Sequence, residues 1–256
     1  MTISLLSTPP ETSFNMIQLI KNHRSIRAFT EQKIPENIFQ ELINAGKAAP
    51  SSSFIQCTSV IRISDPAIRE KLMEFCSNQA HVKACAEFLI FCIDFNRHKH
   101  IVPEAKLGFT EQLITGAVDV SLFAQNLSLA AESLGLGTVY IGAVRNKPQE
   151  MAELLNLPEH TFPIFALCIG YPAENPEIKP RLPNSILVHE NTYSAITLPK
   201  LQEDLKHYDQ ELKTYFQTRT HNTKADTWSE SIEHKLLKEA RPFMKGCLES
   251  RGFAKK

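Results

Sequence analysis

Apolar residues first recur at helical spacing in Phe14-Asn-Met-Ile-Gln-Leu-Ile20, which predicts a helix. A second predicted helix carries Pro35 in its first turn and runs to about Ala48, with Ile38, Leu42 and Ile43 on one face. It stops before Pro50. Thr58–Ile63 and Phe88–Ile93 read as strands, and the unbroken apolar run of the second suits a strand buried on both faces. Pro66–Cys76, between them, reads as a helix. The longest periodic segment is Leu107–Leu134, with Leu113, Ala117, Val120, Ala124, Leu127 and Ala131 at helical spacing and Gly135 as its stop. Its apolar residues occupy more than one side, so it is expected within the core or between subunits. Thr138–Ile141 and Ile164–Ile169 read as strands, Pro148–Leu155 as a short helix, and Pro172–Pro183 as a Pro-rich loop.

The C-terminal third is helical. Leu201, Leu205, Tyr208, Leu212 and Tyr215 line one face of a helix from about Lys200 to Gln217, and Thr227-Trp-Ser-Glu230 is a capping-box pattern that opens another. Thr218–Ala225 is a polar linker, expected to be mobile, and the Ser/Thr/Pro-rich residues 1–13 are expected to form a loose arm. The pattern is that of an α+β chain with more helix than strand and no internal repeat.

Composition narrows this picture. A chain of 256 residues, 43% apolar and 22% charged, suits one globular domain with appendages, here residues 14–256 with 200–256 as a helical extension. Lys+Arg 28 balance Asp+Glu 28, so the totals force no basic face, which argues against a nucleic-acid partner. The six cysteines form no CxxC pair, and Cys57, Cys92 and Cys168 lie in or beside apolar stretches; buried reduced thiols are expected. The N-terminus has no basic signal-like region, and the longest apolar run, Phe88–Ile93, is too short to span a bilayer. These features place the protein in the cytoplasm, away from membranes.

Several chemistries are missing. Gly135-Leu-Gly137 lacks the third glycine of a dinucleotide fingerprint and follows a helix. There is no GxxxxGK[ST] loop and no GxSxG elbow, so a hydrolase using one of Ser51–Ser53 has little support. His98 and His100 fall in a polar turn without a third ligand, and His81 with Cys85 gives only two ligands on one helix face. The positive signal is His23-Arg-Ser-Ile-Arg27 directly after a helix. Two guanidinium groups and a hydroxyl within five residues suit a phosphate, with Ile26 turned into the core. The same residues also suit a basic helix C-terminus that complements the macrodipole, and spacing alone leaves both readings open.

His23-Arg-Ser-Ile-Arg-Ala-Phe-Thr30 resembles the opening motif of the nitroreductase family. The resemblance continues through Ala49-Pro-Ser-Ser-Ser-Phe-Ile-Gln56, Leu134-Gly-Leu-Gly-Thr-Val-Tyr-Ile-Gly142, Cys168-Ile-Gly-Tyr-Pro172, Lys179-Pro-Arg-Leu-Pro183, Leu187-Val-His-Glu-Asn191 and Asp226-Thr-Trp-Ser229. Each motif is weak alone; seven in order, covering the chain from Asn15 onward, are specific. The chain is most similar to the NADPH-dependent, oxygen-insensitive nitroreductase and flavin reductase branch, which has the long helical C-terminal extension.

The resemblance implies a mixed sheet flanked by helices, in an intertwined homodimer with two FMN sites at its interface. It implies that His23, Arg24, Ser25, Lys179 and Arg181 contact FMN, largely at the phosphate, and that Arg27 reaches the isoalloxazine and nicotinamide side. Ser51, Ser52 and Ser53 resemble the loop that touches the flavin from the partner subunit. Gln79 resembles the residue at the pyrimidine edge, while Tyr140, Ile141 and Gly142 bring backbone to the ring. Arg219 resembles the contact to the NADPH 2′-phosphate, with Lys224 where a second Arg is expected. Ala143 stands where the family often has a second Gly. The implied reaction is ping-pong hydride transfer from NADPH through flavin N5 to a nitroaromatic or quinone, with the chemistry carried by FMN and no essential acid–base side chain. Reduction of free flavin is the runner-up. A flavin store or sensor is the reading from another class, and it has no use for Arg219.

Overall fold

The computed structural model describes residues 15–219 and 223–256. The expected arm over residues 1–13 lies outside the described residues, as do residues 220–222 of the expected linker. A four-stranded sheet forms from β1 (Thr58–Arg62), β2 (Glu87–Asp94), β3 (Gly137–Ile141) and β4 (Thr161–Gly170), in the order β1-β2-β4-β3. All three pairings are antiparallel. The parallel component of the expected mixed sheet is confined to a bridge between Ser25 and Thr138. The incoming chain touches β3 there, where Ile26 N–H donates to Thr138 C=O at 2.9 Å, and does not run on as a strand.

Strand β2 explains its own sequence. Leu89, Phe91 and Ile93 pack into one core cluster with Val120, Ala124 and Leu127, while Phe88, Ile90 and Cys92 pack into a second with Leu72 and Met151. Alternate side chains point to opposite faces and both faces are covered, so every position from Phe88 to Ile93 is apolar. Pro163 of β4 sits where the register shifts between Phe91 and Cys92, the irregularity at which a central strand tolerates proline.

Helices α1 (Met16–Lys21), α2 (Glu36–Lys47), α3 (Pro66–Phe75), α4 (Ala80–Ala84), α5 (Asn96–Ile101), α6 (Thr110–Ser133) and α7 (Pro148–Leu154) surround the sheet. The stretch expected as a polar turn around His98 and His100 is helix α5, and Asp94 Oδ1 accepts the Asn96 N–H at 3.0 Å at its start. Helix α6 is the central one. Val120, Ala124, Leu127 and Ala131 are fully buried, while Ile114, Val118 and Leu122, each four residues apart, are exposed. It is long and apolar enough to cross a membrane by length and composition, and its inner face packs on the sheet.

Beyond the sheet come α8 (Asn184–Leu187), α9 (Leu198–Thr218), α10 (Trp228–Leu236) and α11 (Met244–Ser250). Leu205, Tyr208, Leu212 and Phe216 of α9 form a small core of their own against Leu182, Ile186 and Trp228. The expected capping box is formed: Thr227 Oγ1 accepts the Glu230 N–H at 3.2 Å, and Glu230 Oε2 accepts the Thr227 N–H at 2.7 Å. The chain then returns to the main body, where Phe253 is buried. The six cysteines are free thiols, five of them buried.

Candidate functional site

Residues 23–27 leave α1 and cross the end of β3. Gly137 permits this approach, because a Cβ there would lie 2.6 Å from Ile26 Cγ1. Ile26 is buried, as its apolar side chain requires, and Arg24, Ser25 and Arg27 are left lining a cavity of about 410 Å³. Arg24 Nη1 donates to Pro176 C=O at 3.3 Å, and Arg27 Nη1 donates to Ser25 C=O at 3.4 Å. Arg24 thus bonds across the site to the Pro-rich loop, whereas the Arg27 bond is local, to a carbonyl two residues earlier. Lys21 supplies the cation in that helix's last turn. Arg24, Ser25 and Arg27 lining one cavity is the arrangement that the ligand reading requires. His23 also lines it, with Nδ1 2.6 Å from Glu132 Oε1.

The opposite wall comes from the Pro-rich loop and the C-terminal extension. Pro176, Glu177, Lys179, Pro180 and Arg181 face Tyr208, Tyr215, Arg219 and Trp228. Arg24, Arg27, Lys179, Arg181 and Arg219 therefore converge against one carboxylate of the lining, Glu177. Partial burial lowers the Lys179 pKa, and Lys235, Arg181, Arg219 and Lys224 lower it further. Lys179, Arg219 and Lys224 also stand 5.4, 4.8 and 4.2 Å from the centre of the Phe216 ring. Gathering like charges is unfavourable unless an anion offsets them.

A second cavity, of about 670 Å³, shares Ser25, Arg27, Pro176, Glu177, Tyr215 and Arg219 with the first and adds Ala28, His81 and Glu174. Glu174 is a site residue that periodicity could not reveal. Its Oε1 accepts the Arg27 N–H, and the Ala28 N–H at 3.0 Å, pinning the loop to the motif 146 residues earlier.

The remaining expected site residues lie elsewhere. Ser51 lines a separate cavity of about 460 Å³ with Asp119, and Ser51–Ser53 do not join the Arg24 cluster within one chain. Asp119 of α6 is buried and organises that loop: Ser51 Oγ donates to it at 2.7 Å and Ser52 N–H at 3.0 Å. The loop is strained, with φ of 49° at Ser53, 56° at Phe54 and 51° at Gln56. Gln79 turns its amide back onto Cys76 C=O at 2.8 Å. Tyr140 donates to Gln125 Oε1 at 3.3 Å, and Ile141 is buried. Lys224 lines neither cavity of the cation cluster; its Nζ donates to Ser231 Oγ at 2.7 Å and Asp226 Oδ2 at 3.2 Å. Arg241, with φ 54°, bonds Asn146 Oδ1 at 2.8 Å, and Asn146 Nδ2 donates to Ser77 Oγ at 2.9 Å, joining the C-terminal segment to the turns beside Gly142 and Gln79.

This donor set fits FMN. One cluster of cations matches one phosphate, and the adjoining cavity is within the usual size range of ligand sites. Gly142 fits as well. A Cβ there would meet nothing closer than the Arg145 guanidinium at 3.5 Å, so the chain's own packing does not demand glycine, whereas close approach to a flat ring does.

Comparison with known proteins places the chain in a family. Residues 20–171 match the Nitroreductase family and residues 179–256 match its C-terminal domain. The chain is 48% identical over 238 residues to "Oxygen-insensitive NADPH nitroreductase" of Salmonella typhimurium, covering 93% of this chain and 98% of that protein. It is 47% identical over 242 residues to "NADPH-flavin oxidoreductase" of Vibrio harveyi, covering 94% and 99%. Among solved structures, nitroreductase A from Vibrio parahaemolyticus aligns with a TM-score of 0.88 at 44% identity, covering 95% of this chain and 100% of that one. The NADPH:FMN oxidoreductase of Vibrio harveyi complexed with NAD+ aligns with a TM-score of 0.87 at 45% identity, covering 94% and 99%.

Proposed function

Since the chain belongs to the nitroreductase family, we propose that it is an FMN-dependent oxidoreductase that takes hydride from NADPH and delivers it to nitroaromatics or quinones in a ping-pong cycle. The observation that carries this is the convergence of Arg24, Arg27, Lys179, Arg181 and Arg219 on one cavity that opens into a second. When bound, FMN supplies a ring nitrogen that accepts a hydride and returns it to a second substrate.

The chain's own residues bind and orient. Arg24, Ser25, Lys179 and Arg181, with His23 beside them, hold the phosphate. Arg27, fixed through its backbone by Glu174, stands between the two cavities and reaches toward the ring. Gln79, Tyr140, Ile141 and Gly142 form the ring's surroundings, and Ser51, Ser52 and Ser53 complete the site from the partner subunit. Arg219, at the end of α9, takes the 2′-phosphate of NADPH, with Lys224 beside it across the Phe216 ring.

The working unit is a soluble, cytoplasmic homodimer. Ile114, Val118 and Leu122 of α6, Met16, Ile17 and Ile20 of α1, and Phe54 are all exposed apolar residues of the kind a second copy covers. The distance in the chain fold between the serine loop and the cation cluster has the same explanation.

A flavin reductase is the second reading, and the relative named "NADPH-flavin oxidoreductase" is almost as similar as the one named a nitroreductase. Initial rates with NADPH against a nitrofuran, a benzoquinone and free FMN separate them. Parallel reciprocal plots with the nitrofuran or quinone support the proposal. Turnover with free FMN alone, or intersecting plots, overturns it.

A further inference from the structure

Helix α4 carries one polar side chain that neither the packing nor the reading above uses. His81 is only 9% exposed, yet its Nε2 is buried without a hydrogen-bond partner. Such an atom has lost water and gained nothing, which is destabilising, so its presence calls for a reason outside the protein's own bonds. Metal binding does not supply one. No group of three or more possible ligands occurs among the described residues, and Cys85, one turn along, is buried with its thiol on Val82 C=O at 3.6 Å.

His81 is among the residues lining the larger cavity, together with Arg27 and Glu174. Burial lowers its pKa, Arg27 lowers it further, and Glu174 opposes them. The ring is therefore neutral near pH 7. A neutral imidazole nitrogen serves as acceptor or as N–H donor according to its tautomer, so it suits a ligand edge that offers both.

We propose that His81 is a recognition residue whose imidazole, turned toward the cavity when the ligand binds, hydrogen-bonds the amide edge of a planar heteroaromatic ring bound beside Arg27. The imide edge of FMN and the carboxamide of the nicotinamide share this chemistry. The inference rests on the flavin-oxidoreductase reading and adds to it a group that positions one of the two rings.

His81→Leu and His81→Gln in the full-length protein test it through binding and stability. Thermal unfolding is measured on the flavin-free protein, FMN affinity by titration of that protein, and NADP+ affinity by titration of the FMN-loaded protein. In His81→Leu, the flavin-free protein should melt at or above the wild-type temperature, because an unmet buried polar atom has been removed. Affinity for FMN or for NADP+ should fall on the order of tenfold, and His81→Gln should recover part of it. Loss in the FMN arm assigns the flavin; loss in the NADP+ arm assigns the nicotinamide. A lower melting temperature with both affinities unchanged returns His81 to the core and overturns the inference. A wild-type protein that binds no FMN removes the underlying reading instead, and this inference falls with it.

Discussion

Lys179→Met removes one charge from the crowded wall of the cation cluster while keeping an unbranched side chain one atom shorter. In the ligand-free protein Lys179 is partly buried and surrounded by Lys235, Arg181, Arg219 and Lys224, all of which lower its pKa. Under the proposed function, the same ammonium faces the phosphate dianion of bound FMN. A hydrogen bond to a charged group is worth about 1.5–3 kcal/mol, and about 1.4 kcal/mol is a factor of ten in affinity. Lys179 remains open to solvent, which places the effect at the lower end. FMN titration of the ligand-free variant, followed by flavin fluorescence, should therefore give a Kd raised about tenfold. Stability should move the other way. Losing a cation from among cations leaves the ligand-free fold as stable as the wild type or more so. The pH dependence follows from the sign of the shift. The unfolded chain holds the Lys179 proton more firmly than the fold does, so wild-type stability rises with pH between the lowered value and the ordinary 10.5. The variant lacks that rise. An unchanged Kd with reduced stability would refute the anion site and leave Lys179 a structural residue.

Two further substitutions probe the other parts of the site. Asp119→Asn keeps the shape but disturbs the buried acceptor of Ser51 and Ser52, so denaturant unfolding should show a loss of about 1–3 kcal/mol and FMN should bind more weakly; wild-type FMN affinity in a destabilised variant would separate the serine loop from the flavin. Arg219→Ala should raise the KM for NADPH several-fold, about 1–2 kcal/mol, while NADH and FMN content stay nearly unchanged. Equal losses with both nucleotides would contradict a 2′-phosphate contact.

The legible parts of the fold were those with local causes. β2 announced burial on both faces by the unbroken apolar run Phe88–Ile93, α6 showed its length and its double-sided apolar surface, and the Thr227–Glu230 box marked the start of α10. The motif His23–Arg27 was visible because its cations are adjacent in sequence. Its surroundings were not, since spacing alone allowed a helix-dipole role, and the bond from Arg24 to Pro176, 152 residues away, is set by the path of the folded chain. Glu174 and Asp119 escaped for the same reason: their partners are set by the path of irregular loops, 146 and 68 residues distant, which no periodicity encodes. The polar stretch of α5 hid a helix because few of its residues are apolar, and its start is fixed by Asp94. His81 carries no sequence signal of a missing partner; only the packing shows it.

The most direct test of the central claim is anaerobic addition of NADPH to the purified protein while its visible spectrum is recorded. The account predicts a yellow protein that releases FMN on denaturation, loses its visible flavin absorbance on mixing with NADPH, responds more weakly to NADH, and regains its colour when a nitroaromatic or quinone is added. A colourless protein that cannot be reconstituted with FMN, or a bound flavin whose spectrum NADPH leaves unchanged, would contradict it.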